Sequence, residues 1–329
     1  MWVRALRVIP RVEKSEWDRL DVVSRWLIAS RGAVLVITFI SAGIAGLLAA
    51  RAGRFDPGLW LLTTVALLAA HATNNLLNDL TDHAKGVDRD NYFRAMYGPH
   101  ALEHGLLSVR GLLAYAAVSG AIALTIGAYL VAVRGPLALG LLAIGAFFVL
   151  FYTFPLKYIG LGEVSVLLTW GPLMIGGTYF IVTGAWDWNS AVVGLPYALG
   201  ATTVIFGKHI DKLEDDRQKE IRTLPVIVGE RAARVLLGAL LVLQYATVAY
   251  LVATGFLSAV LLVVLLALPK FRDAFVAAAS PRPRGRPTTW PAAVWPLYFV
   301  ALAFAHNRRF GVLFLAGLVG DVVVHALAG

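Results

Sequence analysis

The sequence predicts an all-α fold, a polytopic membrane helical bundle of about nine transmembrane helices. Three observations predict it. The chain is 59% hydrophobic and only 15% charged. Several stretches of roughly eighteen residues or more carry almost no charge, the length a bilayer core requires. Lys and Arg also fall in alternate loops, as they do where one face of a membrane is cytoplasmic.

The elements follow in order. Residues 1–32 read as a cytoplasmic amphipathic segment, because Trp17, Leu20, Val23, Trp26 and Leu27 recur at roughly helical spacing. An interfacial anchor is the expected role. Residues 33–329 form a single transmembrane domain, with spans near 33–50, 58–78, 111–133, 137–152, 163–184, 190–207, 233–253 and 256–268. A last apolar region, 290–328, is broken by Asn307-Arg308-Arg309 and reads as one interrupted helix or two short ones. Short turns at 54–58, 134–136 and 184–188 suit a face without chemistry, and Trp186 and Trp188 suit the interface belt. The connection 269–289 contains Ser280-Pro-Arg-Pro-Arg-Gly-Arg-Pro287, read as a mobile polybasic linker facing anionic headgroups.

With the N-terminus in the cytoplasm, the loops on that side hold 24 Lys and Arg against 3 opposite, Arg308 and Arg309 left aside. Such a bias sets orientation in a plasma membrane and accounts for the net charge of +9 without nucleic acid. The N-terminus lacks the short apolar core and small-residue site of a cleavable signal. Cysteine is absent, which excludes disulfides, thiolate metal sites and cysteine nucleophiles.

Two acidic stretches stand at the ends of apolar segments, on the cytoplasmic side of this arrangement. The first is Asn75-Leu-Leu-Asn78-Asp79-Leu-Thr-Asp82-His-Ala-Lys85-Gly86-Val-Asp88, the second Lys208-His-Ile-Asp211-Lys-Leu-Glu214-Asp215-Asp216-Arg217. Carboxylates are costly at the edge of a membrane core, so a dense group there serves an ion or a pathway. Asp79 and Asp82 are three apart and share a helical face, with Asn75 one turn earlier; Asp211 and Asp215 are four apart. Oxygen ligands so spaced suit Mg²⁺ bound together with phosphate oxygens. The histidines show no zinc spacing. A single Asp at a helix end is ordinarily a cap or a solvated charge; two groups on one face argue for more.

Basic residues accompany both stretches: Lys85, Arg89 and Arg94 in the first loop, Lys208, Arg217 and Arg222 in the second. Arg222 and Lys208 suit charge developing on a departing diphosphate, although loop bias alone would also place basic residues there. Lys157, just after Tyr152-Thr-Phe-Pro155-Leu, either touches substrate or snorkels. Tyr152, Tyr158, Tyr179 and Phe180 suit an apolar wall whose π faces stabilise a carbocation.

These residues together resemble the UbiA superfamily of intramembrane prenyltransferases, most closely its 1,4-dihydroxy-2-naphthoate (menaquinone) branch. Asn78-Asp79-Leu-Thr-Asp82…Lys85-Gly86-Val-Asp88 matches the first signature, and Tyr97-Gly98-Pro99 with Gly105-Leu-Leu-Ser108 the stretch after it. Tyr158-Ile-Gly160-Leu-Gly162-Glu163-Val164, Trp170-Gly-Pro-Leu173…Gly177-Thr-Tyr179 and Arg222-Thr-Leu-Pro225 resemble later motifs. The likeness runs from about residue 25 to 240.

Two departures stand out. Gly207-Lys-His-Ile-Asp211 replaces the branch's Asn-Asn-x-Arg-Asp, and His100-Ala101 stands where an Arg follows Gly-Pro. The register of the second motif stays open. Asp211 and Asp215 satisfy its DxxxD form, but an ungapped alignment through Arg222-Thr-Leu-Pro225 puts Lys212 at the first metal position and Asp216 at the second.

The resemblance implies two four-helix halves around a central cavity, with polyprenyl diphosphate as donor and an aromatic acceptor, 1,4-dihydroxy-2-naphthoate if the branch holds. It implies Mg²⁺ on Asp79, Asp82, Asp88, Asp211 and Asp215 or Asp216. Substrate contacts are expected from Asn75, Asn78, Lys85, Arg94, Tyr152, Lys157, Tyr158, Glu163 and Tyr179, with membrane lipid around the bundle. The rival readings are a homologue for another acceptor, a polyprenyl-lipid binder without catalysis, and a membrane cation transporter, which would place its carboxylates near the midplane.

Overall fold

The computed structural model describes residues 1–87, 100–292 and 294–328, and these form helices and turns with no strand. Asp88, Arg89, Arg94 and the Tyr97-Gly98-Pro99 motif lie outside the described residues. Six helices among the described residues are long and apolar enough to cross a membrane, consistent with a multi-pass membrane protein.

The chain divides into two compact units. The first comprises residues 1–39 and 61–155. Its helices are α1 (Trp2–Arg7), α2 (Lys14–Trp17), α3 (Val22–Ala29), most of α5 (Pro57–Ala84), α6 (Val109–Arg134) and α7 (Pro136–Phe151). The second comprises residues 40–60 and 156–329. It holds most of α4 (Val36–Arg51), then α8 (Gly162–Thr183) and α9 (Trp188–Asp211). Next come α10 (Leu213–Gln218), α11 (Leu224–Val228), α12 (Glu230–Ala253), α13 (Leu268–Ala279) and α14 (Phe299–Ala328).

Helix boundaries follow local chemistry. Proline opens α5 and α7, where its missing N–H costs nothing. Ser108 caps α6, and Asp187 caps α9 through the amides of Asn189 and Ser190. Gly135, at φ 77, makes the reversal between α6 and α7 that a side chain would strain. Within α8, Pro172 sits in a π-helical stretch, Thr169–Gly176, as expected where one ladder donor is lost.

In the first unit the N-terminal segment is more than an interfacial anchor. Trp17, Leu27 and Ile28 are buried together with Leu76 of α5 and Leu112 and Ala116 of α6. The Trp26 indole N–H donates to Ser119 Oγ at 2.8 Å. Asp21 separates α2 from α3 and accepts from Ser24 N–H, Ser24 Oγ and the Trp2 indole. Those donors hold its carboxyl well below the usual range. Val23, grouped with the apolar residues by its spacing, is exposed.

In the second unit α14 is one continuous helix of 30 residues, so Asn307-Arg308-Arg309 does not interrupt it. Asn307 is buried, and its side chain and that of Gln244 of α12 both approach Gly200 of α9. Nearby, the Tyr245 hydroxyl and His306 Nε2 share a 2.9 Å hydrogen bond. Arg51 of α4 pairs with Asp321 of α14 at 3.0 Å. The segment read as a span at 256–268 is a 3-10 helix, Ala259–Ala267, that runs into α13. The 269–289 connection is therefore helical to Ala279. Arg282 in its supposedly mobile part donates to the Pro296 carbonyl at 2.8 Å and lies 5.1 Å from the Trp295 ring.

Candidate functional site

The first acidic stretch occupies the last turns of α5. Asp79 and Asp82 are buried on one face, at 1% and 7% exposure, in a unit whose apolar interior cannot solvate a bare carboxylate. Arg31 answers that cost at Asp79, where its Nη2 meets Oδ1. Arg31 holds a left-handed conformation at φ 59, ψ 54, which only Gly, Asn and Asp adopt readily. Asn75 Nδ2 donates to the Ser30 carbonyl at 2.9 Å, tying this turn to α5 beside Asp79. Asn78 Nδ2 donates to Thr153 Oγ1 at 3.0 Å, and Asn74 Nδ2 to the Val149 carbonyl at 2.9 Å. The end of α7 is thereby fixed to the same stretch. Lys85 lies 3.7 Å from the centre of the Phe154 ring, and Tyr152 is half-buried at the end of α7.

Two buried carboxylates on one helical face, with two fixed amides a turn away, fit a divalent cation and its phosphate ligands. Among the described residues no three His, Cys, Asp or Glu side chains cluster as a metal cage.

In the second unit three sequence-distant motifs adjoin. The loop Lys157–Gly162 packs on α9 and on the turn before α11. A Cβ on Gly160 would stand 3.6 Å from the Arg222 carbonyl and 2.5 Å from Ile227 Cδ1, and one on Gly162 3.9 Å from His209 Cε1. Glu163 and His209 form a buried pair, Oε1 to Nδ1 2.6 Å, with Glu163 Oε2 lacking a partner. Lys157 is buried and its ammonium lies 5.5 Å from the Tyr158 ring centre. Tyr179 is buried, Lys208 half-buried and Arg222 exposed.

The second acidic stretch does not fit a metal cage. Asp211, expected as a ligand, is 3% exposed, and its carboxylate caps α14 instead. Oδ2 accepts from the amides of Tyr298 at 2.9 Å and Val300 at 3.0 Å, and Oδ1 from Phe299 at 3.1 Å. Arg282 Nε stands 3.4 Å away. A helix N-terminus offers unsatisfied donors and a positive dipole, and one buried carboxylate meets both. Asp215 pairs with Lys219 at 3.5 Å and Asp216 with Lys212 at 3.1 Å. Asp216, 2% exposed, and Lys212 lie one turn apart on the same side, the register given by the ungapped alignment.

Sequence reasoning passed over Arg31 and His209. Arg31 looked like one more positive charge before an apolar run, and His209 was weighed only against zinc spacings. The Glu163–His209 pairing spans 46 residues and has no local signature.

Comparison with known proteins agrees with this geometry. A model of the UbiA prenyltransferase family matches residues 36–290. The human "UbiA prenyltransferase domain-containing protein 1" is 30% identical over 199 residues, 59% of this chain and 57% of that protein. The fly homologue is 27% identical over 200 residues, covering 54% of its length. The chain thus spans a little over half of these relatives. A 1,4-dihydroxy-2-naphthoate octaprenyltransferase of Bacillus subtilis is 26% identical over 244 residues, 73% of this chain and 78% of that protein. Among solved structures, a UbiA homologue from Aeropyrum pernix superposes with a TM-score of 0.65 at 18% identity, covering 86% of this chain and 97% of that one. A homologue from Archaeoglobus fulgidus bound to GPP and Mg²⁺ gives 0.54 at 17%, covering 88% and 99%.

Proposed function

The chain belongs to the UbiA prenyltransferase family, and from that premise we propose that it transfers a polyprenyl group from its diphosphate to an aromatic acceptor. The observation that carries the reading is the buried pair Asp79 and Asp82 on one face of α5, with Arg31 upon Asp79.

Asp79 and Asp82, with Asp88 as the expected third acid, would hold Mg²⁺, which would supply positive charge to the leaving diphosphate. The protein's own part is positioning. Arg31, fixed by the turn that Asn75 grips, presents a guanidinium that matches phosphate oxygens in a fork geometry. Lys85, Arg94, Lys157, Lys208 and Arg222 are the further cations proposed for diphosphate. Tyr152, Tyr158, Tyr179 and Glu163 are proposed for the prenyl chain and acceptor. As the allylic C–O bond ionises, apolar walls keep water from the cation until the electron-rich ring attacks it and loses its proton. The Bacillus relative supports dihydroxynaphthoate as acceptor; the animal relatives leave room for another ring.

The test uses purified protein in lipid with geranylgeranyl diphosphate and, in turn, dihydroxynaphthoate, hydroxybenzoate and homogentisate. Diphosphate release and product mass are both measured. Release is expected to need Mg²⁺ and to fall at least about a hundredfold in Asp79→Ala and Asp82→Ala. Undiminished turnover in those variants would refute the assignment, and the ring that gains the prenyl mass names the acceptor.

A further inference from the structure

The second acidic stretch is acidic in composition only. Between Lys208 and Lys219 it carries four carboxylates, Asp211, Glu214, Asp215 and Asp216, and four cations, Lys208, Lys212, Arg217 and Lys219. Its net charge is zero. Each carboxylate is engaged by the protein itself: Asp211 by the start of α14, Glu214 by Arg217 at 2.8 Å, Asp215 by Lys219 and Asp216 by Lys212. Asp215 Oδ2 is buried without a hydrogen-bond partner among the described residues, but a divalent ion held by carboxylates needs a surplus of negative charge, and the stretch as a whole has none.

Lys212 holds the distinctive place. It forms the junction between α9 and α10, at φ −100, ψ 6, and is only 11% exposed at its side chain. An ammonium so enclosed is costly without an anion, and Asp216 pairs with it at 3.1 Å and orients it. The Ile221 N–H donates to the Asp216 carbonyl at 2.8 Å, so the turn carrying Arg222 and Thr223 is bound to this junction. Thr223 is fully buried, and its hydroxyl has no hydrogen-bond partner among the described residues. The region therefore gathers donors and cations, the chemistry of a phosphate site.

We propose that Lys212 is a phosphate-binding cation of this protein, and that the second stretch, whose charges balance, binds no metal of its own. The inference rests on the prenyl-diphosphate reading above. A compact point charge on a flexible stem is suited to a phosphate oxygen, and the Asp216 contact keeps it at the junction when no phosphate is present.

The experiment counts metal ions rather than turnover. The full chain in nanodiscs is saturated with geranylgeranyl S-thiolodiphosphate, whose C–S bond resists ionisation, and titrated with Mn²⁺ followed by electron paramagnetic resonance. One tightly held Mn²⁺ per chain is expected in the wild type and two in Lys212→Asp. Lys212→Ala should weaken the analogue about tenfold, and Lys212→Arg should restore most of that loss. Two ions in the wild type would overturn the inference while leaving prenyl transfer standing. Equal analogue affinity in wild type and Lys212→Ala would overturn it as well. Failure to bind either Mn²⁺ or the analogue would remove the functional reading together with this one. The wild-type count decides the matter even if Lys212→Asp does not fold.

Discussion

Asp79 and Asp211 carry the same group and are about equally buried, yet their partners differ. Asp79 meets the Arg31 guanidinium on an adjoining turn, a side-chain partner able to move without unwinding a helix. Asp211 faces three backbone amides, which cannot move away without unwinding α14. Replacing Asp211 by Ala should therefore cost about 2–4 kcal/mol of stability through orphaned donors and a lost cap. The check is the thermal unfolding of Asp211→Ala beside Asp215→Ala, whose half-exposed ion pair should matter little. At this scale the sequence was half legible. The spacing of Asn78-Asp79-Leu-Thr-Asp82 put its two acids on one helical face, and both are buried. Asp211 looked equivalent because its donors lie 87 to 89 residues away, where no local pattern points.

Helices were the most readable level, since apolar length follows directly from bilayer thickness. What escaped were the places where an element is finished by something distant. The run at 256–268 was apolar enough for a span, but folded as a 3-10 stretch leading into α13. Asn307-Arg308-Arg309 looked like a break, yet α14 continues through it because Asn307 is buried against other helices. Close helix approach depends on glycine. A Cβ on Gly207 of α9 would lie 2.9 Å from Phe299 C and Val300 N, backbone atoms that cannot step aside. Gly207→Ala should push α9 from α14, at about 1–3 kcal/mol. A lowered melting temperature and faster proteolysis near residue 298 would report it; an unchanged melting point would contradict the packing described.

For the whole molecule, composition spoke clearly for a multi-pass membrane protein and partner identity had no comparable signal. Acceptor choice depends on the shape of an enclosure and on single polar contacts, which a linear pattern of apolar residues does not encode. Orientation is open to direct measurement because the chain has no cysteine. A lone thiol at Arg217→Cys should react with a membrane-impermeant maleimide only in inside-out vesicles. One at Asn189→Cys should react only in right-side-out vesicles. Labelling of both from one side would contradict the loop-charge reading.

The cap on α14 has a consequence for how the protein is made. Translation delivers Asp211 long before residues 298–300, so the carboxylate enters the membrane ahead of the amides that cap it. Until those residues leave the ribosome, the later half of the chain cannot settle. A nascent chain stopped short of them would hold both acidic stretches intact and still be a target for membrane quality control.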